Sequence, residues 1–274
     1  MKVFVFGSNG MLGRYVYSYF KSEGYDVIGL TRRDLDLTQA SISNVGELLL
    51  SKGMTAGDVV INCAGLIKQR GDTKDHDFVS VNAIFPHKLN KVCVANECQL
   101  IHITTDCVYD GLRGGYNEYA IQDATDAYGF TKSIGEPSSA TIIRTSIIGE
   151  ELSNFSSLIE WVKSNKDKTV NGYINHRWNG ITCLQFAKIC QIIIDNSLYW
   201  EGVHHITSPY AVSKCELTRM ISDVYDLNIT VVPFETGVRC DRSLTSIYRS
   251  FPIPPLRDQL IEMKEFYSHL INEV

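Results

Sequence analysis

Short apolar runs alternate along this chain with longer stretches in which apolar positions recur at helical period. KVFVFG (residues 2–7) reads as a first strand, and MLGRYVYSYFKSEG (11–24) reads as a helix that stops at a glycine. YDVIGLT (25–31), DVVINCAG (58–65), QLIHITT (99–105) and TIIRTSIIG (141–149) continue the strands. FVSVNAIFPHKLNKVCVANE (78–97) and a segment around 127–136 supply helices between them, the first expected to kink at Pro86. Alternation of this kind predicts βαβ units and hence an α/β fold built on a Rossmann-type, doubly wound parallel sheet. Past residue 150 the rhythm changes: helices near 154–166, 182–196, 213–225 and 256–272 are separated by the short strands VHHIT (203–207) and ITVVPF (229–234). The expected division is a dinucleotide-binding domain over 1–150 and a smaller C-terminal α/β region over 151–274. That second region mainly binds substrate and can exchange elements with the first.

The first strand runs into GSNGMLG, which sets Gly7, Gly10 and Gly13 between a strand and a helix. In that context the glycines allow a tight turn, close approach of a pyrophosphate to the backbone, and close helix–strand packing. Gly7, Asn9, Gly10, Met11, Leu12 and Gly13 are therefore candidate cofactor residues. The end of the second strand chooses the cofactor. An NAD site places an acidic side chain there for the ribose 2′-hydroxyl, whereas this chain reads LTRRD and offers Thr31, Arg32 and Arg33. Two guanidinium groups suit a 2′-phosphate, so NADPH (NADP) is the expected cofactor.

Composition narrows the remaining classes. At 274 residues and 44% hydrophobic content, the chain can fill a sizeable core. A net charge of -5 without a long basic run gives no footprint for nucleic acid. Apolar runs fall far short of the roughly 20 residues that cross a bilayer, and the short N-terminal run does not fit a signal peptide. A cytoplasmic protein is expected, without membrane or nucleic-acid partners. Of the eight cysteines, Cys63, Cys93, Cys98, Cys183, Cys190 and Cys215 sit in apolar segments and no pair has CxxC spacing, so free thiols and no metal site are expected. The sequons at Asn154 and Asn228 then carry no sugar.

YGFTK puts Tyr128 and Lys132 four residues apart on one helix face. Thr104 and Thr105 end a strand where a parallel sheet presents its ligand-binding edge. These groups suit carbonyl reduction: the phenol donates a proton to the forming alkoxide, the cation is expected to lower the phenol's pKa, and the hydroxyl holds the carbonyl oxygen.

With GSNGMLG, DLDLT, VVINCAG, VNAIFP, TTDCVYDG, YGFTK, IIRTSIIG, NGIT and KCELTRMI in this order, nearly the whole chain resembles the extended short-chain dehydrogenase/reductases. More closely, it resembles the dTDP-4-dehydrorhamnose reductase family of nucleotide-sugar 4-ketoreductases. The resemblance implies a catalytic triad of Thr105, Tyr128 and Lys132. It also implies Asp36 and Leu37 beside the adenine, and Asn62, Cys63, Ala64, Gly65 and Asn82 toward the ribose and nicotinamide. Lys132 would share the nicotinamide ribose, and Arg242 is the candidate for a nucleotide-sugar diphosphate in the C-terminal region. The implied activity is NADPH-dependent reduction of the C4 ketone of a dTDP- or UDP-linked 4-keto-6-deoxy sugar, in a monomer or a homodimer.

Two positions depart from the family. Cys107 stands where an aromatic is usual, and Ile147 replaces a tryptophan, so a different hexose is expected. His176 and Trp178, in a segment read as a loop, are further candidates at the substrate. His204 and His205 alternate sides of a strand and cannot jointly hold a metal. Two alternatives stay open. One is a bifunctional 3,5-epimerase/4-reductase, for which Cys107 has the right spacing; SNFSSLIEWV supplies no histidine or lysine partner, leaving Lys163, Lys166 and His176 further on. The other is a non-catalytic NADP-binding regulatory subunit, against which the intact triad argues.

Overall fold

The computed structural model describes residues 1–67, 74–152 and 155–272. Asn154, and with it the expected start of a helix at 154, lies outside them. Six parallel strands form the central sheet: β1 (Lys2–Phe6), β2 (Asp26–Leu30), β3 (Val59–Asn62), β4 (Gln99–Thr105), β5 (Thr141–Thr145) and, much later in the chain, β10 (Gly202–His205). Across the sheet the order is β10-β5-β4-β3-β1-β2. Alternation along β1 explains why both faces must be covered. Val3 and Val5 join one buried cluster and Phe4 and Phe6 the other, and all four are at most 2% exposed. The first cluster is covered by α1 (Met11–Ser22) and α7 (Cys183–Asp195), the second by α2 (Ile42–Ser51) and α4 (Phe85–Ala95).

The chain steps from β1 to β2 on one side and then returns to place β3 on the other. The strand order therefore reverses between β1 and β3, where a crevice opens at the carboxyl ends. The turns after these two strands face each other across it.

Three local differences from the pattern have identifiable causes. The helix expected at 78–97 begins earlier, as α3 (Asp75–Phe78), and passes through a π-helical turn (Val79–Ile84) into α4. Pro86 sits at the start of α4, immediately after the π-helical turn and not within a regular α-helical stretch. The π turn drives Asn82 inward, fully buried. The strand expected over 141–149 breaks at Ser146, whose carbonyl accepts from Ile181 N; β6 (Ile147–Ile148) leaves the sheet and pairs with β9 (Ile181–Thr182). The strand of His204 and His205, read as part of the smaller region, is β10 at the edge of the main sheet.

The remaining elements lie beyond the carboxyl ends of the sheet or against α1 and α7. They are α5 (Ala127–Ile134), α6 (Leu158–Ser164), β7 (Thr169–Tyr173), β8 (His176–Trp178), β11 (Val212–Ser213), α8 (Lys214–Val224), β12 (Thr230–Phe234), β13 (Cys240–Asp241) and α9 (Leu256–Asn272). β8 is flanked by β11 and β13, and β7 pairs with β12. No helix among the described residues is long and apolar enough to cross a membrane.

Candidate active site

Two regions meet at the carboxyl edge of the sheet: a crevice over the β1–β3 reversal, and a cluster of polar side chains at the end of β4. The crevice has a volume of ≈ 520 Å³ and is lined by Gly7, Asn9 and Gly10, by Thr31, Arg32, Arg33, Asp36 and Leu37, and by Cys63, Ala64 and Gly65. Close packing requires Gly13: a Cβ there would lie 2.1 Å from the Gly7 carbonyl oxygen, so any larger residue pushes α1 off the turn. The Asp36 side chain accepts from the Thr38 amide, while the Thr31 hydroxyl donates to Asp34 Oδ2 at 2.9 Å. Arg32 and Arg33 are exposed at the rim. A crevice of this shape, with a glycine floor and two exposed cations at the β2 end, fits a dinucleotide carrying a 2′-phosphate.

Some expected contacts are replaced by supporting roles. Leu12 points into the core and Met11 packs against the core, so α1 offers the crevice its backbone at these positions. Asn62 and Asn82 are buried beneath the wall rather than lining it. Asn62 Oδ1 accepts from Ala64 N, and Asn82 clamps Leu66 by exchanging hydrogen bonds of 2.9 and 3.0 Å with its amide and carbonyl. The two asparagines therefore fix the Ala64–Leu66 backbone. Phe6, Leu30, Leu35, Leu66 and Val81 also line the crevice and were not singled out from the sequence. Their apolar character marks them equally well as core, so no local signal separates the two.

Thr105, Tyr128 and Lys132 converge at the end of β4. Helix α5 is capped by Asp126, whose side chain accepts from Gly129 N at 3.0 Å. It lies so close to the preceding loop that a Cβ on Gly129 would sit 2.2 Å from the Cys107 carbonyl oxygen. This approach brings the Tyr128 phenol close enough to Thr105 for the threonine to act on it. Burial, followed by the Cys107 side chain, holds the phenol well above its ordinary pKa, while Thr105 acts the other way. The expected lowering by Lys132 is not among the leading influences. Its ammonium is directed elsewhere, 3.5 Å from the Ile103 carbonyl and against Gly65. Burial pulls Lys132 down to about 8, with Glu136 and Cys63 opposing.

On the far side of Thr105 is a second group. Thr105 Oγ1 donates to the buried Asp106 at 3.1 Å, and the Cys107 amide donates to Thr105 Oγ1 at 3.2 Å. Arg242 reaches over from beyond β13: Nε donates to the Tyr109 carbonyl at 2.9 Å, Nη2 to the Asp110 carbonyl at 3.4 Å, and Nη1 to Cys107 Sγ at 3.8 Å. It is thus brought to the loop after β4 and held there by that loop. Lys214, at the start of α8, stacks 5.2 Å over the Trp178 ring. Burial lowers its pKa, while Asp106, Cys107 and Cys240 act to raise it. Sequence reasoning did not select Lys214. It follows the N-cap Ser213 and precedes an amphipathic helix, which reads as an ordinary first-turn residue.

The other substrate candidates are placed less directly. Trp178 is buried, with Lys214 across its face, so packing rather than an exposed stacking surface is its role here. His176 is in strand β8, not a loop, and its Nε2 is engaged by Thr236 Oγ1 at 2.8 Å and the Val238 carbonyl at 3.2 Å. Ile147, in β6, packs at the edge of the core. Lys163 is ion-paired to Glu150 between the rings of Tyr225 and Tyr267. His205 is buried against Arg144, and His204 stacks between Trp200 and Tyr248, so the two do face opposite ways.

Comparison with known proteins places this geometry. Among curated relatives, a dTDP-4-dehydrorhamnose reductase of Mycolicibacterium smegmatis is 32% identical over 49% of this chain, and the match spans 40% of that protein. A probable low-salt glycan biosynthesis reductase of Haloferax volcanii is 26% identical over 91% of this chain and 89% of its own length. The crystal structure of a dTDP-4-dehydrorhamnose reductase from Bacillus anthracis, in complex with NADP, superposes with a TM-score of 0.79; at 20% identity it covers 97% of this chain and 99% of that one, and shares its fold. The family model described as "RmlD substrate binding domain" matches residues 1–243, and the chain belongs to that family.

Proposed function

We propose that this protein is an NADPH-dependent oxidoreductase that reduces the C4 ketone of a nucleotide-activated 4-keto-6-deoxy sugar, dTDP- or UDP-linked. The observation that carries this reading is the convergence of Thr105, Tyr128 and Lys132 beside a glycine-floored crevice, an arrangement that packing alone does not require. NADPH, when bound, supplies the hydride. Tyr128, kept protonated by burial, donates its proton to the oxygen that gains charge. Thr105 positions that oxygen through its hydroxyl. Lys132 supplies positive charge near Gly65, on the wall of the crevice. Gly7, Asn9, Gly10, Thr31, Arg32, Arg33, Asp36, Leu37, Cys63, Ala64 and Gly65 hold the cofactor, and residues 151–274 mainly shape the sugar site. The direct test is NADPH oxidation with freshly made 4-keto-6-deoxy sugars on dTDP, UDP and GDP; no turnover with any of them would sink the reading.

The pair of exposed arginines makes a separate prediction. Replacing Arg32 and Arg33 by alanine removes charged hydrogen bonds worth roughly 1.5–3 kcal/mol each, so NADPH affinity should fall at least about tenfold while NADH affinity barely changes. Equal affinity for the two cofactors in the unaltered protein would contradict the assignment. The same reading includes cytoplasmic residence and a homodimer. Val79, Ile84, Phe130 and Ile134 are exposed on neighbouring helical segments, and sedimentation returning a monomer mass would refute the dimer.

A second reading, combined epimerisation and reduction, is favoured by one observation. In the helix after β6, Lys163 is paired with Glu150, whereas Arg242 Nη1 lies 3.8 Å from Cys107 Sγ and Lys214 interacts electrostatically with the Cys107 side chain. A thiol beside cations gains thiolate character and can take a proton from carbon next to a ketone. If the protein only reduces, incubation with substrate in deuterated water leaves C3 and C5 unlabelled. Label that enters those carbons, and is lost in Cys107→Ser and in Lys214→Met, would establish the bifunctional reading.

A further inference from the structure

A buried ion pair lies directly behind the catalytic residues. Glu136 follows the end of α5, four residues past Lys132, and its side chain is 7% exposed; Arg144 on β5 is 2% exposed. Arg144 donates from Nε to Glu136 Oε1 at 3.0 Å and from Nη2 to Oε2 at 2.6 Å, a two-pronged contact. Glu136 accepts two further hydrogen bonds, from Gln122 Nε2 at 3.0 Å and from Thr104 Oγ1 at 2.8 Å. Thr104 in turn accepts from the Thr105 amide at 2.6 Å.

The register of the sheet explains why these groups meet. Thr104 is paired with Arg144 and Arg144 with His205, so the three side chains form a row across β4, β5 and β10 on one face. Arg144 Nη1 donates to the Tyr109 hydroxyl at 2.6 Å and to His205 Nε2 at 3.0 Å, which occupies the far end of the row. Glu136 therefore touches the catalytic apparatus at two points. Through Thr104 it is connected to the backbone of Thr105, and by its charge it acts on Lys132, one helical turn away.

We propose that Glu136, held by Arg144, is a positioning residue for the ketoreductase centre: it fixes Thr105 through the Thr104 hydroxyl and sets its carboxylate one helical turn beyond Lys132 as a counter-charge. This rests on the oxidoreductase reading above. It assigns work to residues that touch neither cofactor crevice nor catalytic hydroxyl. Glu136 and Cys63 favour its charge, and His102, buried and neutral, lies close enough to respond to it. Cys63 is itself pushed up by burial and stays a thiol, so Glu136 supplies the negative charge.

The sign follows directly. Lys132 carries its charge below its pKa, and charge is lost as pH rises through about 8. Removing Glu136 lowers that pKa, so any property that needs the ammonium should fail at lower pH. A single Glu136→Gln substitution leaves a buried arginine unpaired and can unfold the protein. The double variant Glu136→Gln/Arg144→Met removes both charges with similar volume, and leaves Tyr109 and His205 their own contact of 3.3 Å.

The experiment compares the parent protein, the double variant and Thr104→Val, each checked for a cooperative unfolding transition. Two pH profiles are measured: NADPH affinity without sugar, and kcat/KM for ketone reduction. In the double variant the alkaline limb of both profiles should move to lower pH, because Glu136 acts on Lys132 and Arg144 is not among the groups that do. In Thr104→Val the limb should stay in place while kcat falls about tenfold or more, because Thr105 has lost its backbone anchor but Lys132 has kept its counter-charge. A folded double variant whose affinity limb stays at the parent pH overturns the proposal, as does a Thr104→Val variant with parental kcat. Absence of ketone turnover in the parent protein, with the affinity limb still moving, counts against the assigned reaction but supports Glu136 as the counter-charge.

Discussion

Tyr128→Phe is expected to reduce ketone turnover by at least about 10²-fold and by as much as about 10⁴-fold, with NADPH affinity nearly unchanged. In the proposed reaction the phenol hands a proton to the carbonyl oxygen, and burial keeps it in the donor form at neutral pH. Its ring packs among Leu66, Phe78 and Val81, contacts that phenylalanine retains, so neither the wall of the crevice nor the fold should be disturbed. Single-turnover reduction with NADPH, alongside fluorescence titration of the cofactor, separates the two effects. Retained turnover would remove Tyr128 from the proton path. Parallel loss of NADPH binding would show that the hydroxyl serves the cofactor as well.

Arg144→Met alone should destabilise the protein by about 3–5 kcal/mol, because the Glu136 carboxylate would remain buried without its partner. The neighbours that accept from Arg144, Tyr109 and His205, can turn to each other, but Glu136 keeps only Thr104 and Gln122 as donors. Urea unfolding would report the loss as a lower midpoint at unchanged slope. The double variant Glu136→Gln/Arg144→Met should recover most of it, since no unpaired charge is left. If Arg144→Met and the double variant unfold at the same midpoint, the pair contributes shape rather than charge.

Residues whose meaning is local are legible in the sequence. GSNGMLG works through the backbone of one turn, and Tyr128 and Lys132 share a helix face because of their four-residue spacing. Cys107 is legible too, from its place two residues after Thr105. Its environment is not: the candidate partners Lys163 and His176 are committed to Glu150 and to the Thr236–Val238 segment, while Lys214 arrives from 107 positions further along the chain than Cys107. The paired contact of Asn82 with Leu66 is hidden for a different reason. It depends on a π-helical turn, and a turn of that kind leaves no mark in a hydrophobic pattern.

The sequence by itself determined the alternating strands and helices, the double-sided burial of β1, the dinucleotide turn and the spacing of the Tyr128–Lys132 pair. All of these are set within one or two adjacent elements, where steric limits and side-chain period act directly. Tertiary structure alone decided that β10 completes the main sheet, that Thr104, Arg144 and His205 fall in one row, and that Glu136 stands behind Lys132 and Thr105. Those placements depend on strand order and register. Apolar strands such as β4 and β5 can satisfy their hydrophobic pattern beside several neighbours, and only the packing of the whole sheet selects one.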